Sequence, residues 1–283
     1  VLMTRSELIK TYVTPLSPKP TGMSPGGRLA QKLDCILFDI YGTLFISAAG
    51  DISLARQTSP QMSKLEHVLA KFKVGISPRL LIEKLHRTIE AHHRQRINSG
   101  IDTPEIEIDK IWLQLLKCDD IEYAREFAIE YELIVNPIYP MPHLSELLTA
   151  CRQQNCSMGL VSNAQFFTPL LFDWFLGADT ARLGFDSELM FLSYQMGYAK
   201  PSQMFFETAA AAVNAKGIAP SATLVVGNDM LNDIYPAKKL GFQTALFAGD
   251  ARSLRLRADD PRCRNLSADL ILTDLEQLIG YIS

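Results

Sequence analysis

Apolar positions follow two rhythms along this chain, and the change of rhythm divides it. Short unbroken apolar runs recur at Asp34-Cys-Ile-Leu-Phe-Asp39, 157–162, 223–227 and 243–247. Their length and lack of polar breaks suit strands buried on both faces of a parallel sheet. Weaker runs near 190–193 and 270–272 add two more. Between them, apolar residues at three- and four-residue steps predict helices over 143–154, 202–214 and 231–240, with a short helix at the C-terminal end. Strands alternating with helices predict an α/β fold: a Rossmann-like, doubly wound parallel sheet.

From residue 47 to 136 the strand rhythm stops. Helical periodicity covers 61–72, 78–97, 104–118 and 121–134, with no β-rich run among them. This predicts an all-helical insert over 47–136 in a core built from 33–46 and 137–283. The Pro-rich connector Asn136-Pro-Ile-Tyr-Pro-Met-Pro142 leads back to the core. Residues 1–32 differ again: 14–27 are rich in Pro, Gly and Ser and can bury little apolar surface, which predicts a flexible tail or an extended wrap.

Composition narrows the function classes. The 283 residues are 47% hydrophobic and 21% charged, with a formal net charge of −3 and scattered basic residues. There is no electrostatic case for nucleic acid or an anionic membrane as partner. No apolar stretch approaches a membrane span. Five cysteines without a CxxC pair favour a reducing, cytoplasmic compartment and no zinc site. Monomer and homodimer both remain open.

Ligands of open α/β sheets bind beyond the carboxyl ends of the strands. Here the first strand ends at Asp39, the second at Ser162-Asn163 and a later one at Gly227-Asn-Asp229. Asp39 can attack an electrophile and form a covalent aspartyl intermediate. Thr43, Ser162 and Asn163 can bind an anionic substrate group, and Lys200 can neutralise charge on nucleophile and substrate. Asp229 and Asp233 stand four apart, so one can hold a hard cation while the other orients its surroundings. Singly, each feature has an ordinary explanation: a turn, a helix cap, a solvated lysine. Their order and their places at strand ends outweigh those explanations.

These residues resemble the motifs of the haloacid dehalogenase superfamily of hydrolases. The first is Phe38-Asp-Ile-Tyr-Gly-Thr-Leu44, the second Leu160-Val-Ser-Asn163, the third Gly197-Tyr-Ala-Lys-Pro201, and the fourth Val226-Gly-Asn-Asp-Met-Leu-Asn-Asp233. The helical insert falls where that family carries its C1-type cap. The resemblance implies Asp39 as nucleophile, Ser162 as ligand of the substrate anion and Lys200 as charge stabiliser. For the phosphotransferase members it also implies Mg²⁺, held by Asp39, the backbone carbonyl of Tyr41 and Asp229, with Asp233 beside them.

Tyr41 departs from the phosphatase pattern, in which a second Asp follows the nucleophile by two residues. A phenol of pKa about 10 is a poor general base near neutral pH. The L-2-haloacid dehalogenases resemble this Asp-x-Tyr-Gly-Thr motif more closely; they use no metal, and halide leaves without a proton. A second buried carboxylate near Asp39 is costly without a cation. That cost favours Mg²⁺ and hydrolysis of a small phosphorylated metabolite. The alternatives are a metal-independent 2-haloacid dehalogenase and a catalytically weak binding or regulatory protein. Elsewhere, the basic cluster 92–96 reads as a solvated face, Trp112 as insert core, and 252–257 as an exposed loop or helix.

Overall fold

An unbroken apolar run needs cover on both faces, and Cys35–Phe38 has it: all four residues are buried. The computed structural model describes residues 5–48 and 62–282. The N-terminal segment holds α1 (Arg5–Tyr12) and β1 (Gly26–Gly27), and the core opens with β2 (Cys35–Phe38) and β3 (Phe45–Ser47). The helical insert carries α2 (Met62–Lys71), α3 (Pro78–Asn98), α4 (Ile108–Leu116) and α5 (Ile121–Val135). The core resumes with β4 (Ile138–Pro140), α6 (Leu144–Gln153), β5 (Ser157–Ser162), α7 (Leu170–Leu176), β6 (Phe185–Leu192), α8 (Ser193–Met196) and α9 (Gln203–Ala215). It ends with β7 (Thr223–Gly227), a π turn at Met230–Ile234, α10 (Tyr235–Lys239), β8 (Gln243–Phe247), β9 (Leu270–Leu272) and α11 (Glu276–Ile279).

The sheet has seven strands in the order β1-β9-β8-β7-β2-β5-β6. All neighbours run parallel except β1, which pairs antiparallel with β9. Alternate residues of β2 go to opposite faces. Ile36 and Phe38 join a core with Leu147 and Leu148 of α6, Phe172 of α7 and Leu278 of α11. Cys35 and Leu37 join another with Phe205, Phe206 and Val213 of α9. The strand order reverses beside β2, with β5 on one side and β7 on the other. Such a reversal opens a crevice at the carboxyl ends of the strands. A separate two-stranded β3–β4 ladder carries the chain out to the insert and back.

The insert has its own core. Trp112 is buried with its ring 4.8 Å from those of Phe127 and Tyr131. Ser77 caps α3 ahead of Pro78, and Asp120 accepts from the backbone N–H groups of Glu122 and Tyr123 to start α5. No helix among the described residues is long and apolar enough to cross a membrane.

Several expectations are corrected. Residues 5–32, expected as a flexible tail or an extended wrap, run against the insert and the core. Tyr12 donates from its hydroxyl to Glu130 of the insert at 2.6 Å, Thr21 Oγ1 to the Ala248 carbonyl at 2.8 Å, and β1 extends the sheet. Helix α4 starts at Ile108 rather than 104, because Pro104 bridges to Tyr198 and the Glu105 N–H donates to the Gly197 carbonyl. The helix expected over 231–240 is a π turn followed by α10, and the strand near 190 begins at Phe185. The start of the helix expected from residue 61 lies outside the described residues.

Candidate active site

Strand ends deliver the chemistry. Phe38 lies between Leu160 of β5 and Val226 of β7, so Asp39 emerges at the carboxyl edge, its N–H held by the Val226 carbonyl at 2.8 Å. Its side chain is 8% exposed. Oδ1 accepts from Lys200 Nζ at 2.7 Å and from Ser162 Oγ at 3.1 Å; Thr43 Oγ1 stands 3.4 Å from Oδ2. Gly42 makes the turn between Asp39 and Thr43 at φ +82°, where a Cβ would meet Ser253 and Asn228.

Lys200 uses all three ammonium protons: one to Asp39, one to Asp233 Oδ1 at 2.5 Å and one to the Val161 carbonyl at 3.0 Å. Burial opposes its charge, but the two carboxylates outweigh that and hold it above the ordinary lysine range. Asp233 is 1% exposed and also accepts from the Asp229 N–H at 3.0 Å. Burial pushes its carboxyl up against the pull of Lys200, and the charges of Asp39 and Asp229 push the same way. Asn163 spends its amide on positioning: Oδ1 accepts from the Lys200 N–H at 2.7 Å and Nδ2 donates to the Lys200 carbonyl at 3.2 Å. It locks the third motif to the second.

Tyr41 bonds to a residue other than Asp39. Its hydroxyl pairs with Thr168 Oγ1 at 2.9 Å, and burial, with Glu132 adding to it, raises the phenol far above its ordinary value. Asp229 is closed off as well. Oδ1 accepts from the backbone N–H groups of Leu231 at 2.8 Å and Asn232 at 3.2 Å. Arg257 Nε lies 3.1 Å from each oxygen and Nη2 2.6 Å from Oδ2. From the fourth motif Asn228 reaches Thr43, with its Oδ1 3.4 Å from Thr43 Oγ1.

This donor set decides the fit of a magnesium ion. A hard cation needs free oxygens, and both oxygens of Asp229 are engaged by protein donors. Among the described residues, the group of acids and histidine spaced to share a cation is His143, Asp274 and Glu276, which includes no residue of this site. As arranged, Asp39, Tyr41, Asp229 and Asp233 do not fit Mg²⁺ with Asp229 as ligand.

The insert reaches the site through residues 101–107. Glu105 Oε2 accepts from Ser193 Oγ at 2.7 Å, and Oε1 from Gln165 Nε2 at 3.2 Å. Burial pushes the Glu105 carboxyl up against those bonds. Arg96, expected on a solvated face, instead donates from Nη2 to the Gly197 carbonyl at 2.8 Å.

The arrangement is that of a buried carboxylate on a strand tip, held by a lysine and a serine, and residues 33–241 match the haloacid dehalogenase-like hydrolase family. The chain belongs to this family. Comparison with curated proteins gives no match. Among solved structures, a haloacid dehalogenase-like phosphatase from Thermococcus onnurineus is 18% identical, with 89% of this chain and 98% of that one covered and a TM-score of 0.53. A 2-haloacid dehalogenase from Pseudomonas syringae is 17% identical over 88% and 98%, also at 0.53. These two share the fold of this haloacid dehalogenase-like hydrolase, and their different activities leave its substrate open.

Sequence reasoning missed Asn228, Arg257, Glu105 and the Tyr41–Thr168 pair. Asn228 follows directly on the strand end at Gly227, which was signal enough to include it. Arg257 lies beyond β8, in a connection at the carboxyl edge where ligands bind. Nothing local marks Glu105, whose partners are 60 and 88 residues away.

Proposed function

We propose that this hydrolase works through a covalent ester on Asp39, on a small anionic substrate whose leaving group departs without a proton. A 2-haloacid is the substrate class that fits. The observation that carries the reading is the pair of opposite settings around the nucleophile. Asp39 Oδ1 receives Lys200 and Ser162, while the residue in the usual acid's position, Tyr41, gives its hydroxyl to Thr168.

In this reading an Asp39 oxygen attacks the carbon that bears the halogen. The carbon–halogen bond breaks, and halide leaves with its electron pair. Water then adds to Cγ of Asp39, and collapse releases the 2-hydroxyacid and the free carboxylate. One proton of that water stays with the alcohol and the other passes to solvent. The alcohol oxygen therefore comes from Asp39. Lys200 sets its positive charge against Oδ1 of Asp39 and fixes the attacking group in place, and Ser162 and Thr43 offer hydroxyls to the substrate carboxylate. Removing one preorganised donor of this kind costs on the order of 10²–10³ in turnover.

Phosphate monoester hydrolysis is the second reading. The Asp229–Asp233 pair speaks for it, because a second and third acid near a nucleophilic carboxylate call for positive charge. It needs a proton donor for the departing alkoxide and an open cation ligand at Asp229, so it ranks below the first.

The test is incubation with 2-chloropropionate, and separately with p-nitrophenyl phosphate with and without Mg²⁺, followed by intact-mass measurement and product assay. The expected result is chloride release that chelator does not change, with an adduct on Asp39 that Asp39→Asn cannot form. Undiminished turnover in Asp39→Asn would refute the covalent step. Magnesium-dependent phosphate release without chloride release would replace the first reading with the second.

A further inference from the structure

The fourth motif's leading acid is in contact with a full positive charge from a side chain of the same molecule. Arg257 grips the Asp229 carboxylate with two of its nitrogens, the closest at 2.6 Å. The grip is built into the fold. The Arg255 N–H donates to the Asn228 carbonyl and the Met230 N–H to the Arg255 carbonyl, both at 2.9 Å, so residues beside Arg257 run alongside residues 228–230 like an extra strand. Asn228 Nδ2 adds a bond to the Ser253 carbonyl at 2.5 Å. The Arg257 backbone sits at φ 51°, in the left-handed region, and that turn follows directly on the laced stretch.

Burial sets the accessibility of this pair. The Asp229 side chain is 9% exposed and that of Arg257 is 36% exposed. The guanidinium therefore covers the carboxylate from the solvent side, the side from which a dissolved cation would approach. A bidentate guanidinium and a divalent cation want the same carboxylate oxygens, so they exclude each other.

We propose that Arg257 is the resident counter-ion of this site: it takes the charge-balancing place of a divalent cation on Asp229 and sets how weakly such a cation binds. Its role is toward the metal, not the substrate, and it holds whether or not the substrate is a haloacid. Three consequences follow from competition. Wild-type protein binds Mg²⁺ poorly, removal of the guanidinium opens the site, and the gain depends on Asp229. Loss of one charge-assisted contact corresponds to at least about tenfold tighter binding.

Isothermal titration of the full chain with MgCl₂, repeated with MnCl₂, tests this on wild type, Arg257→Ala, Arg257→Gln and Arg257→Ala/Asp229→Asn. The expected result is weak binding in wild type, at least about tenfold tighter binding in both single variants, and loss of that gain in the double variant. Equal affinity in wild type and single variants overturns the proposal. So does absence of binding in all four, or a gain that survives Asp229→Asn. Failure of both single variants to fold also overturns it, since an exposed counter-ion is not a folding requirement. The readout is heat of cation binding, so it stands apart from the Asp39 adduct that tests the proposed reaction.

Discussion

At the scale of single residues, Lys200 and Tyr41 set the character of the site in opposite ways. Lys200 spends its whole bonding capacity on Asp39, Asp233 and the Val161 carbonyl, which fixes the Asp39 carboxylate before any substrate arrives. Tyr41 contributes a ring packed against the core and a hydroxyl bonded elsewhere. The Tyr41→Phe variant should therefore keep turnover within about twofold of wild type while losing about 1 kcal/mol of stability with the Thr168 bond. Steady-state kinetics and urea unfolding measure the two effects. A drop of a hundredfold in turnover would make the phenol a participant and sink the assignment of a proton-independent leaving group.

At the scale of elements, the fourth motif depends on close approach between the end of β7 and the π turn. A Cβ on Gly227 would lie 2.2 Å from Asp233 Cγ. Gly227→Ala should displace Asp233, take Lys200 with it, and cost roughly 1–3 kcal/mol as an overpacked core does. Urea midpoints and turnover would both fall; an unchanged turnover would show that Asp233 tolerates movement. This contact also marks where sequence reading stops. The buried strands were legible because runs of about four consecutive apolar residues admit few other structures, and Asp39, Ser162 and Asp229 could be placed because each stands at or just beyond the end of such a run. The placement of α4 was not, since residues 104–107 have helical periodicity locally but lose it to bonds with Gly197 and Tyr198. Asp229 stands after a strand end, as expected, and its carboxylate is held by a guanidinium that the sequence did not point to. The competing charge, Arg257, sits 28 residues away, and only the register of its loop against residues 228–230 brings it in.

At the scale of the whole molecule, insert and core meet at a junction that holds a titrating group. Glu132 near the end of α5 accepts from Asn136 Nδ2 at 2.9 Å, and Asn136 Oδ1 accepts from Ser47 Oγ of β3 at 2.9 Å. Burial pushes the Glu132 carboxyl up to about 7, against the Asn136 bond. Its folded value thus lies above its unfolded one, so the folded state holds the extra proton. The associated stability is complete below the unfolded value and is lost as pH rises through about 7. Thermal unfolding at about pH 5 and about pH 8 should show wild type losing more stability across that interval than Glu132→Gln. Equal losses would place the carboxyl in ordinary solvent.

The short ladder between β1 and β9 has a consequence of its own. Gly26 and Gly27 lie against Leu270 and Ile271, and a glycine pair can follow another backbone closely because no side chain stands in the way. Without that cover, the last strand of the sheet would present a row of unmatched amides, the surface on which stray chains stack into fibrils. Trimming the first thirty or so residues in pursuit of a tidier crystal would, on this view, yield material that clumps even though every reacting group is intact.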